Sequence, residues 1–151
     1  MNTMLTAQMK TLITDHSAGM VATVNNDGTP CVSPKATFVV VDDATIAFGN
    51  IRSPGTLANI RQRPALEVCF IDVVLRKAVR VTGSASVYTK AAAPTKVAEA
   101  FAADWAAYLP NISAFVSIDI SAAELILSPA YDLGHSEAEL RQANLQKLNA
   151  L

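Results

Sequence analysis

The sequence predicts a mainly β (α+β) protein, a small antiparallel barrel of about six strands with short flanking helices. Three observations support this fold class. Short β-branched segments recur along the chain, and most are separated by turn residues that favour hairpins. The early hairpins leave no room for the crossover helices that a parallel α/β sheet requires. A length of 151 residues suits one hydrophobic core, so we expect residues 1–151 to form a single domain.

The N-terminal half begins with a short amphipathic helix and continues in two hairpins. Leu5, Met9 and Leu12 recur at helical spacing, which predicts a helix over residues 4–15. The run GMVATVNNDGTPCVSPKA predicts a hairpin that turns at residues 25–28. The second hairpin is expected to have strands at residues 39–41 and 45–48.

The rest of the chain alternates single strands with helices. The expected elements are a helix over 57–62, strands at 66–71 and 80–88, a helix over 95–109, a strand at 115–127 and a C-terminal helix. The helix over 95–109 is predicted by residues that share one face, namely Val97, Phe101, Trp105 and Tyr108. The C-terminal helix is expected to begin at the capping box that runs from Ser136 to Glu139.

Composition favours a cytoplasmic protein with a surface for a partner. Hydrophobic residues make up 51% of the chain and charged residues 17%, which suggests that some apolar surface contacts another chain. No apolar run reaches the roughly 18 residues that span a bilayer, and the N-terminus has no secretory signal pattern. Cys31 and Cys69 lack the spacing of a metal site. We expect both to be buried thiols in a reducing compartment.

The charge is nearly balanced overall but unevenly distributed. A net charge of −1 argues against nucleic acid as the main partner. Between residues 52 and 80, six basic residues stand against two acidic ones: Arg52, Arg61, Arg63, Arg76, Lys77 and Arg80 against Glu67 and Asp72. This basic middle suits a small anion such as a phosphate, and scattered solvated charges are the alternative.

The segment RSPGT, residues 52–56, follows the strand TIAFGN and opens the helix TLANIRQ. The start of a helix carries unpaired N–H groups and a partial positive charge, so it favours an anion. Arg52 can bind phosphate oxygens through two parallel hydrogen bonds, and Gly55 allows a ligand to approach the backbone. Ser53 and Thr56 can donate from their hydroxyls. The simpler interpretation is that Ser53 only caps the helix and Arg52 is solvated.

The segment VSPKA, residues 32–36, places a proline inside a strand. Pro34 has no N–H for a sheet hydrogen bond, so it marks an edge or a bulge and leaves nearby backbone groups free for a flat heterocycle. Lys35 is a charge in an otherwise apolar strand. The alternative is that Pro34 and Lys35 only protect an edge strand against aggregation.

Together these segments resemble the FMN-binding split-barrel proteins related to pyridoxamine 5′-phosphate oxidase. The matching order runs through GMVATVNNDGTPCVSPKA, FGNIRSPGTLANIRQRP, LEVCF, RKAVRVTGSASV and SPAYDLG. The resemblance covers nearly the whole chain, is densest over residues 19–87, and is nearest to short single-domain bacterial members. It implies an antiparallel six-stranded split barrel with Greek-key topology. It also implies a homodimer that carries FMN in clefts between the subunits.

The resemblance further implies which residues contact FMN. Its phosphate contacts would be Asn50, Arg52, Ser53 and Thr56, and its ribityl and ring contacts Val32, Ser33, Pro34 and Lys35. Arg76 and Lys77 would reach the flavin of the partner subunit. Many relatives carry a basic pair in the phosphate loop where this chain has Pro54, Gly55 and Thr56, so either Arg52 replaces that charge or phosphate binding is weaker. Lys35 is the candidate catalytic residue, either as a cation beside the flavin ring or as a site for an anionic acceptor.

Three classes of function remain open. The first is an FMN-dependent oxidoreductase that acts on a small molecule. The second uses another cofactor on the same barrel, either the deazaflavin F420 or haem, for which His16 and His135 are the available axial ligands. We expect His16 at a helix end and His135 in a surface turn. The third is a flavin-binding electron carrier without substrate turnover. A Ser-His-Asp hydrolase is not expected, because the sequence has no GxSxG elbow.

Overall fold

The computed structural model describes residues 4–151, which form one antiparallel sheet of seven strands accompanied by four α-helices. The strands are β1 (Gly19–Val24), β2 (Pro30–Lys35), β3 (Phe38–Asp42), β4 (Thr45–Asn50), β5 (Ala65–Asp72), β6 (Lys77–Thr89) and β7 (Ala114–Leu127). The α-helices are α1 (Ala7–Asp15), α2 (Pro54–Gln62), α3 (Thr95–Asp104) and α4 (Glu137–Asn149), and short 3₁₀ helices lie at Lys90–Ala92 and Ala106–Asn111.

The strand order across the sheet is β2–β1–β5–β6–β7–β4–β3. The expected count of six strands is therefore wrong, and the sheet is not a closed barrel, because β2 and β3 each pair with only one neighbour in the described chain. Pro34 on β2 has no N–H to offer to a further strand. Only Ala36 and Thr37 separate β2 from β3, and such a connection spans at most about 11 Å. The two edges thus lie near each other, and the sheet curls without closing.

Two apolar clusters pack against the curled sheet, a larger one that includes Phe38, Phe48 and Phe70 and a smaller one around Phe101 and Phe115. The Phe38 ring lies 5.2 Å from the Phe48 ring and 4.8 Å from the Phe70 ring, measured between centroids. Ile13 of α1 and Ile60 of α2 are buried in the same cluster. Helices α1 and α2 therefore cover this larger cluster. None of the helices within residues 4–151 is long and apolar enough to cross a membrane.

Two helix boundaries differ from the sequence prediction. The first helix begins at Ala7 rather than at residue 4, because the Thr6 side chain caps it by accepting a hydrogen bond from the N–H of Met9. The helix expected over 95–109 ends at Asp104. Trp105 leaves the helical conformation, with φ at −129°, and its Nε1 donates to the carbonyl of Phe38 at 3.0 Å. A local cap therefore sets the start of α1, whereas a tertiary contact accompanies the end of α3.

Other local predictions have mixed outcomes. The hairpin turn at residues 25–28 is confirmed, with the N–H of Gly28 donating to Asn25 and a φ of +85° at that glycine. Ser136 caps α4 as predicted, by accepting from the N–H of Glu139. Cys31 and Cys69 are free but only half-buried, so the expectation of buried thiols is wrong. Cys31 lies on the edge strand β2, which has a neighbouring strand on one side only in the described chain.

Candidate functional site

The segment RSPGT forms the junction of β4 and α2, as the sequence predicts. Ser53 is the residue before α2, but its side chain accepts no hydrogen bond from the described chain, so the capping interpretation is wrong. The N–H of Leu57 donates to the carbonyl of Ser53 at 3.1 Å. The N–H groups of Gly55 and Thr56 have no acceptor within residues 4–151. The start of α2 therefore offers two unpaired donors.

The surroundings of these donors suit an anion. Arg52 is exposed and pairs with no carboxylate of the described chain. A side chain added at Gly55 would meet no atom within 4 Å, so the backbone there is open to a ligand. Thr56 is buried, with 4% of its surface exposed. A free guanidinium beside a free helix start is a common arrangement for binding phosphate.

Asn50, the last residue of β4, is a buried amide with 5% of its surface exposed. Its Nδ2 donates to Oγ of Ser113 at 3.0 Å, and that Oγ donates to the carbonyl of Asn50 at 3.0 Å. Its Oδ1 is buried and has no hydrogen-bond partner in the described chain. A buried acceptor without a donor costs about 1–3 kcal/mol. This oxygen is therefore available to a donor from a ligand.

Lys35, the last residue of β2, is a buried amine with 8% of its surface exposed. Its Nζ donates to Oγ of Ser33 at 2.5 Å, and no carboxylate within residues 4–151 pairs with it. Burial lowers the pKa of Lys35, because desolvation disfavours the charged amine. The nearby thiol of Cys31 opposes this shift. Lys35 is therefore a buried cation without a counter-charge.

The residues of β2 that the resemblance assigns to one ligand surface lie on two faces of the strand. Ser33 and Lys35 point to the more buried side, whereas Val32 and Pro34 are exposed on the other, with Val32 at 64%. This follows from the two-residue repeat of a strand. Pro34 does lie on an edge strand, as predicted. One face of β2 can therefore contact a ligand at the sheet edge while the other is left for a different surface.

Thr37 brings the ends of β2 and β4 into one region. Its Oγ1 donates to the carbonyl of Gly49 at 2.7 Å, and the N–H of Gly49 donates back to that oxygen at 3.1 Å. Thr37 follows Lys35 by two residues, and Gly49 precedes Asn50 directly. We call the region made by Lys35, Asn50, Arg52 and the start of α2 the β2–β4 site.

Arg76 and Lys77 lie at the other end of β7 from Asn50 in the same chain. Asn50 pairs with Ala114 at the start of β7, whereas Lys77 pairs with Leu127 at its end. β7 has 14 residues, which corresponds to roughly 40 Å for a straight strand. Asn50 and Lys77 are therefore separated along the whole of β7.

The chain itself satisfies most polar groups around Arg76 and Lys77. Lys77 forms an ion pair with Glu137 of α4, and its Nζ lies 5.7 Å from the centroid of the Tyr131 ring. The hydroxyl of Tyr131 donates to the carbonyl of Leu75 at 2.6 Å. Arg76 is exposed, with φ at +53°. We call residues 73–77 with these contacts the tail-anchored turn.

A cavity of about 490 Å³ adjoins the tail-anchored turn. Its walls are mostly apolar, and Arg76 and Lys147 lie on its lining. Asn144 of α4, which also lines it, donates from Nδ2 to the carbonyl of Val74 at 2.8 Å. Helix α4 therefore closes one side of this cavity by a specific hydrogen bond to the turn.

Both histidines lie where the sequence predicted. His16 ends α1, and its Nε2 lies 3.4 Å from a carboxylate oxygen of Asp72. The other oxygen of Asp72 accepts from the N–H groups of Val74 and Leu75, at 2.9 Å each. His135 is exposed after a turn, with 52% of its side chain accessible. In the sequence, neither histidine lies next to a residue of the β2–β4 site.

Sequence reasoning did not identify Ser113 and Asn144. Ser113 contacts Asn50 across 63 residues of sequence, and Asn144 contacts Val74 across 70. Neither residue belongs to a local motif. Only the pairing of distant segments shows that each one matters.

The family model for pyridoxamine 5′-phosphate oxidase matches residues 5–128. This chain belongs to that family. The matched range contains the whole seven-stranded sheet and the β2–β4 site, and it ends just before the segment that carries Tyr131 and α4. The candidate site therefore lies in the part of the chain that defines the family.

Solved structures share the fold. HupZ from Group A Streptococcus is 27% identical and has a TM-score of 0.71, with 83% of this chain and 96% of that chain covered. A provisionally assigned pyridoxamine 5′-phosphate oxidase from Lactobacillus delbrueckii is 24% identical, with a TM-score of 0.67 over 82% and 95% of the two chains. An F420 reductase is 18% identical, with a TM-score of 0.58 over 80% and 98%. No curated protein sequence matches this chain.

Proposed function

We propose that this family member binds FMN at the β2–β4 site and acts as an FMN-dependent oxidoreductase on a small molecule. The observation that carries the proposal is the unpaired anion site at the start of α2, where exposed Arg52 adjoins the free N–H groups of Gly55 and Thr56. Bound FMN would supply the redox chemistry, and the protein would supply position and electrostatics.

The donors and acceptors of the β2–β4 site fit the different parts of FMN. Arg52 and the free N–H groups suit a phosphate dianion, because all three groups only donate. The unpaired Oδ1 of Asn50 suits a hydroxyl or an N–H, because it only accepts. The buried amine of Lys35 suits an electron-rich group. Phosphate, polar chain and ring edge thus each have a complementary partner.

Lys35 is the proposed catalytic residue. It carries its charge in a low-dielectric position with only Ser33 as a hydrogen-bond partner, so the charge acts strongly on whatever binds next to it. A Lys35→Met variant is expected to retain FMN and the assembly state but to turn over more slowly. The midpoint potential of bound FMN falls in this variant if the ammonium lies beside the ring, and stays constant if it holds an anionic acceptor. Wild-type potential and turnover would contradict the catalytic role.

We also propose that the functional unit is a homodimer. Met20, Val32 and Ile71 are large apolar residues with 45%, 64% and 50% of their surfaces exposed on the three neighbouring strands β1, β2 and β5. A second copy that covers this sheet surface would bury them. It would also give Arg76 and Lys77 a way to reach the β2–β4 site of the other subunit. Sedimentation is expected to give a dimer, and a monomer with full FMN affinity would contradict this proposal.

Absorption spectroscopy of the reconstituted protein tests the cofactor directly. Purified protein is incubated in parallel with FMN, F420 and haem, then freed of unbound cofactor by gel filtration. We expect retained FMN with its two-band spectrum. Retention of F420 alone would move the proposal to a deazaflavin enzyme, and a retained Soret band alone would move it to haem. A protein that retains FMN but oxidises no donor would be an electron carrier.

A further inference from the structure

Asn50 and Ser113 form a pair at the edge of the β2–β4 site whose role goes beyond the phosphate contact that the family resemblance implies. We propose that Ser113 is a positioning residue, which fixes the Asn50 amide so that its Oδ1 accepts a hydrogen bond from a ribityl hydroxyl of the flavin. The proposal rests on the proposed function, because it assumes that a flavin binds at this site.

The hydroxyl of Ser113 fixes the orientation of the amide. It has one proton, and it donates that proton to the carbonyl of Asn50 at 3.0 Å. Its oxygen can then only accept, and it accepts from Nδ2 of Asn50 at 3.0 Å. A flipped amide would set Oδ1 against this oxygen, with two acceptors facing each other. The backbone N–H of Ser113 also donates to the carbonyl of Asn50, at 2.8 Å, which holds the pair in place.

In this fixed orientation, Oδ1 of Asn50 is the side-chain atom without a hydrogen-bond partner. Because Oδ1 can only accept a hydrogen bond, a phosphate dianion cannot be its partner. Phosphate oxygens of a dianion only accept hydrogen bonds, as Oδ1 does, so the two would repel each other. The phosphate therefore belongs to Arg52 and the start of α2. Asn50 requires a neutral donor instead.

The position of Asn50 selects the ribityl chain as that donor. Asn50 lies only two residues before Arg52, so the donor must lie near the phosphate end of the ligand. In FMN the ribityl hydroxyls adjoin the phosphate, whereas the N3–H lies on the far edge of the ring. Oδ1 is buried without a partner, and the next two residues along the chain, Ile51 and Arg52, are exposed. The Asn50 amide is thus placed to bind the ribityl chain between the phosphate and the ring.

Three flavins test this assignment by their binding affinities. FMN has phosphate and ribityl groups, riboflavin has only the ribityl group, and lumiflavin has neither. Ser113→Ala is expected to weaken FMN and riboflavin by the same factor, about tenfold, and to leave lumiflavin unchanged. Ser121→Ala is the matched control, because its hydroxyl also donates to a backbone carbonyl distant in sequence, that of Thr82. This control is expected to bind all three flavins as the wild type does.

A second variant distinguishes the loss of this contact from a folding defect. Asn50→Leu removes both amide groups while nearly keeping the size of the side chain, and it also removes the unpaired buried acceptor, so we expect it to fold. It should show the same pattern of losses. In the flavin-free protein, the Asn50 side-chain NH₂ protons should exchange slowly by NMR and should exchange faster in Ser113→Ala.

The possible results separate this inference from the proposed function. Wild-type protein that binds no flavin would overturn both. Binding of FMN by the wild type, with unchanged FMN and riboflavin affinities in Ser113→Ala and Asn50→Leu, would overturn the inference alone. An equal loss for lumiflavin would also overturn it, because the contact would then be to the ring.

Discussion

The β2–β4 site contains a buried asparagine and a lysine, and the tail-anchored turn contains a lysine and is contacted by a buried asparagine of α4. The two regions differ in the partners of these side chains. Asn50 and Asn144 have 5% and 8% of their surfaces exposed. Asn144 donates to the carbonyl of Val74, whereas Oδ1 of Asn50 has no partner in the described chain. Lys77 has the carboxylate of Glu137, whereas Lys35 has only a serine hydroxyl.

This difference is the one that the proposed function requires between a structural region and a binding site. Buried polar groups in proteins are almost always paired. At the tail-anchored turn the pairs are internal, so they fix α4 and need no ligand. At the β2–β4 site the donors of α2, the acceptor of Asn50 and the charge of Lys35 are complementary to groups that the chain does not supply. The four predictions that follow test this contrast, beginning with the largest effect.

Arg52→Ala should weaken FMN by about 10- to 100-fold and riboflavin hardly at all. A charge-assisted hydrogen bond contributes about 1.5–3 kcal/mol, and riboflavin has no phosphate to form one. Quenching of flavin fluorescence measures both affinities. Arg61→Ala, another exposed arginine in the last turn of α2, is the control and should change neither. Equal losses of affinity for both flavins would mean that Arg52 is only a solvated surface charge.

Asn144→Ala should lower the free energy of unfolding by roughly 1–3 kcal/mol, because it leaves the carbonyl of Val74 without its donor. Asn50→Ala should lower it by less, since this change also removes an acceptor that was already unpaired. Urea unfolding of the two variants without cofactor gives the comparison. If Asn50→Ala proves the more destabilising, Asn50 has a mainly structural role and the contrast fails.

Lys35→Met should raise the free energy of unfolding at neutral pH, and the gain should shrink as the pH rises. Burial lowers the pKa of Lys35 in the folded protein, so the unfolded chain binds more protons between that value and about 10.4. The free energy of unfolding of the wild type therefore rises with pH through this window. Below the window Lys35 is charged in both states, so the folded protein bears the full cost of the buried charge. Urea titrations at several pH values up to about 10 measure the difference.

Glu137→Gln should have the smallest effect, below about 1 kcal/mol on stability, because Glu137 is largely exposed. Its effect on FMN affinity decides whether the tail-anchored turn is only structural. Unchanged affinity is expected if Lys77 serves to hold α4. A change in FMN affinity that disappears at dilutions where the protein is monomeric would place Lys77 at the flavin of a partner subunit.

Local patterns in the sequence predicted most elements and one junction of the site. The hairpin at residues 25–28, the Ser136 cap and the passage from β4 into α2 depend on neighbouring residues, so the sequence contains their causes. The predicted end of the helix over 95–109 was wrong because Phe38, far away in sequence, supplies the acceptor for Trp105. The sheet has seven strands and not the expected six, although the sequence patterns predict a segment for each of the seven.

The sequence by itself determined which residues could bind an anion, since Arg52, Ser53, Gly55 and Thr56 owe that chemistry to their types and spacing. Only the tertiary structure decided which groups remain free to do so. Ser113 fixes Asn50 across 63 residues, and Glu137 engages Lys77 across 60. Lys35 is buried although it lies on an edge strand, which its own sequence neighbours do not indicate. A hydrogen bond or a desolvated charge depends on neighbours in space, and these neighbours are distant in the chain.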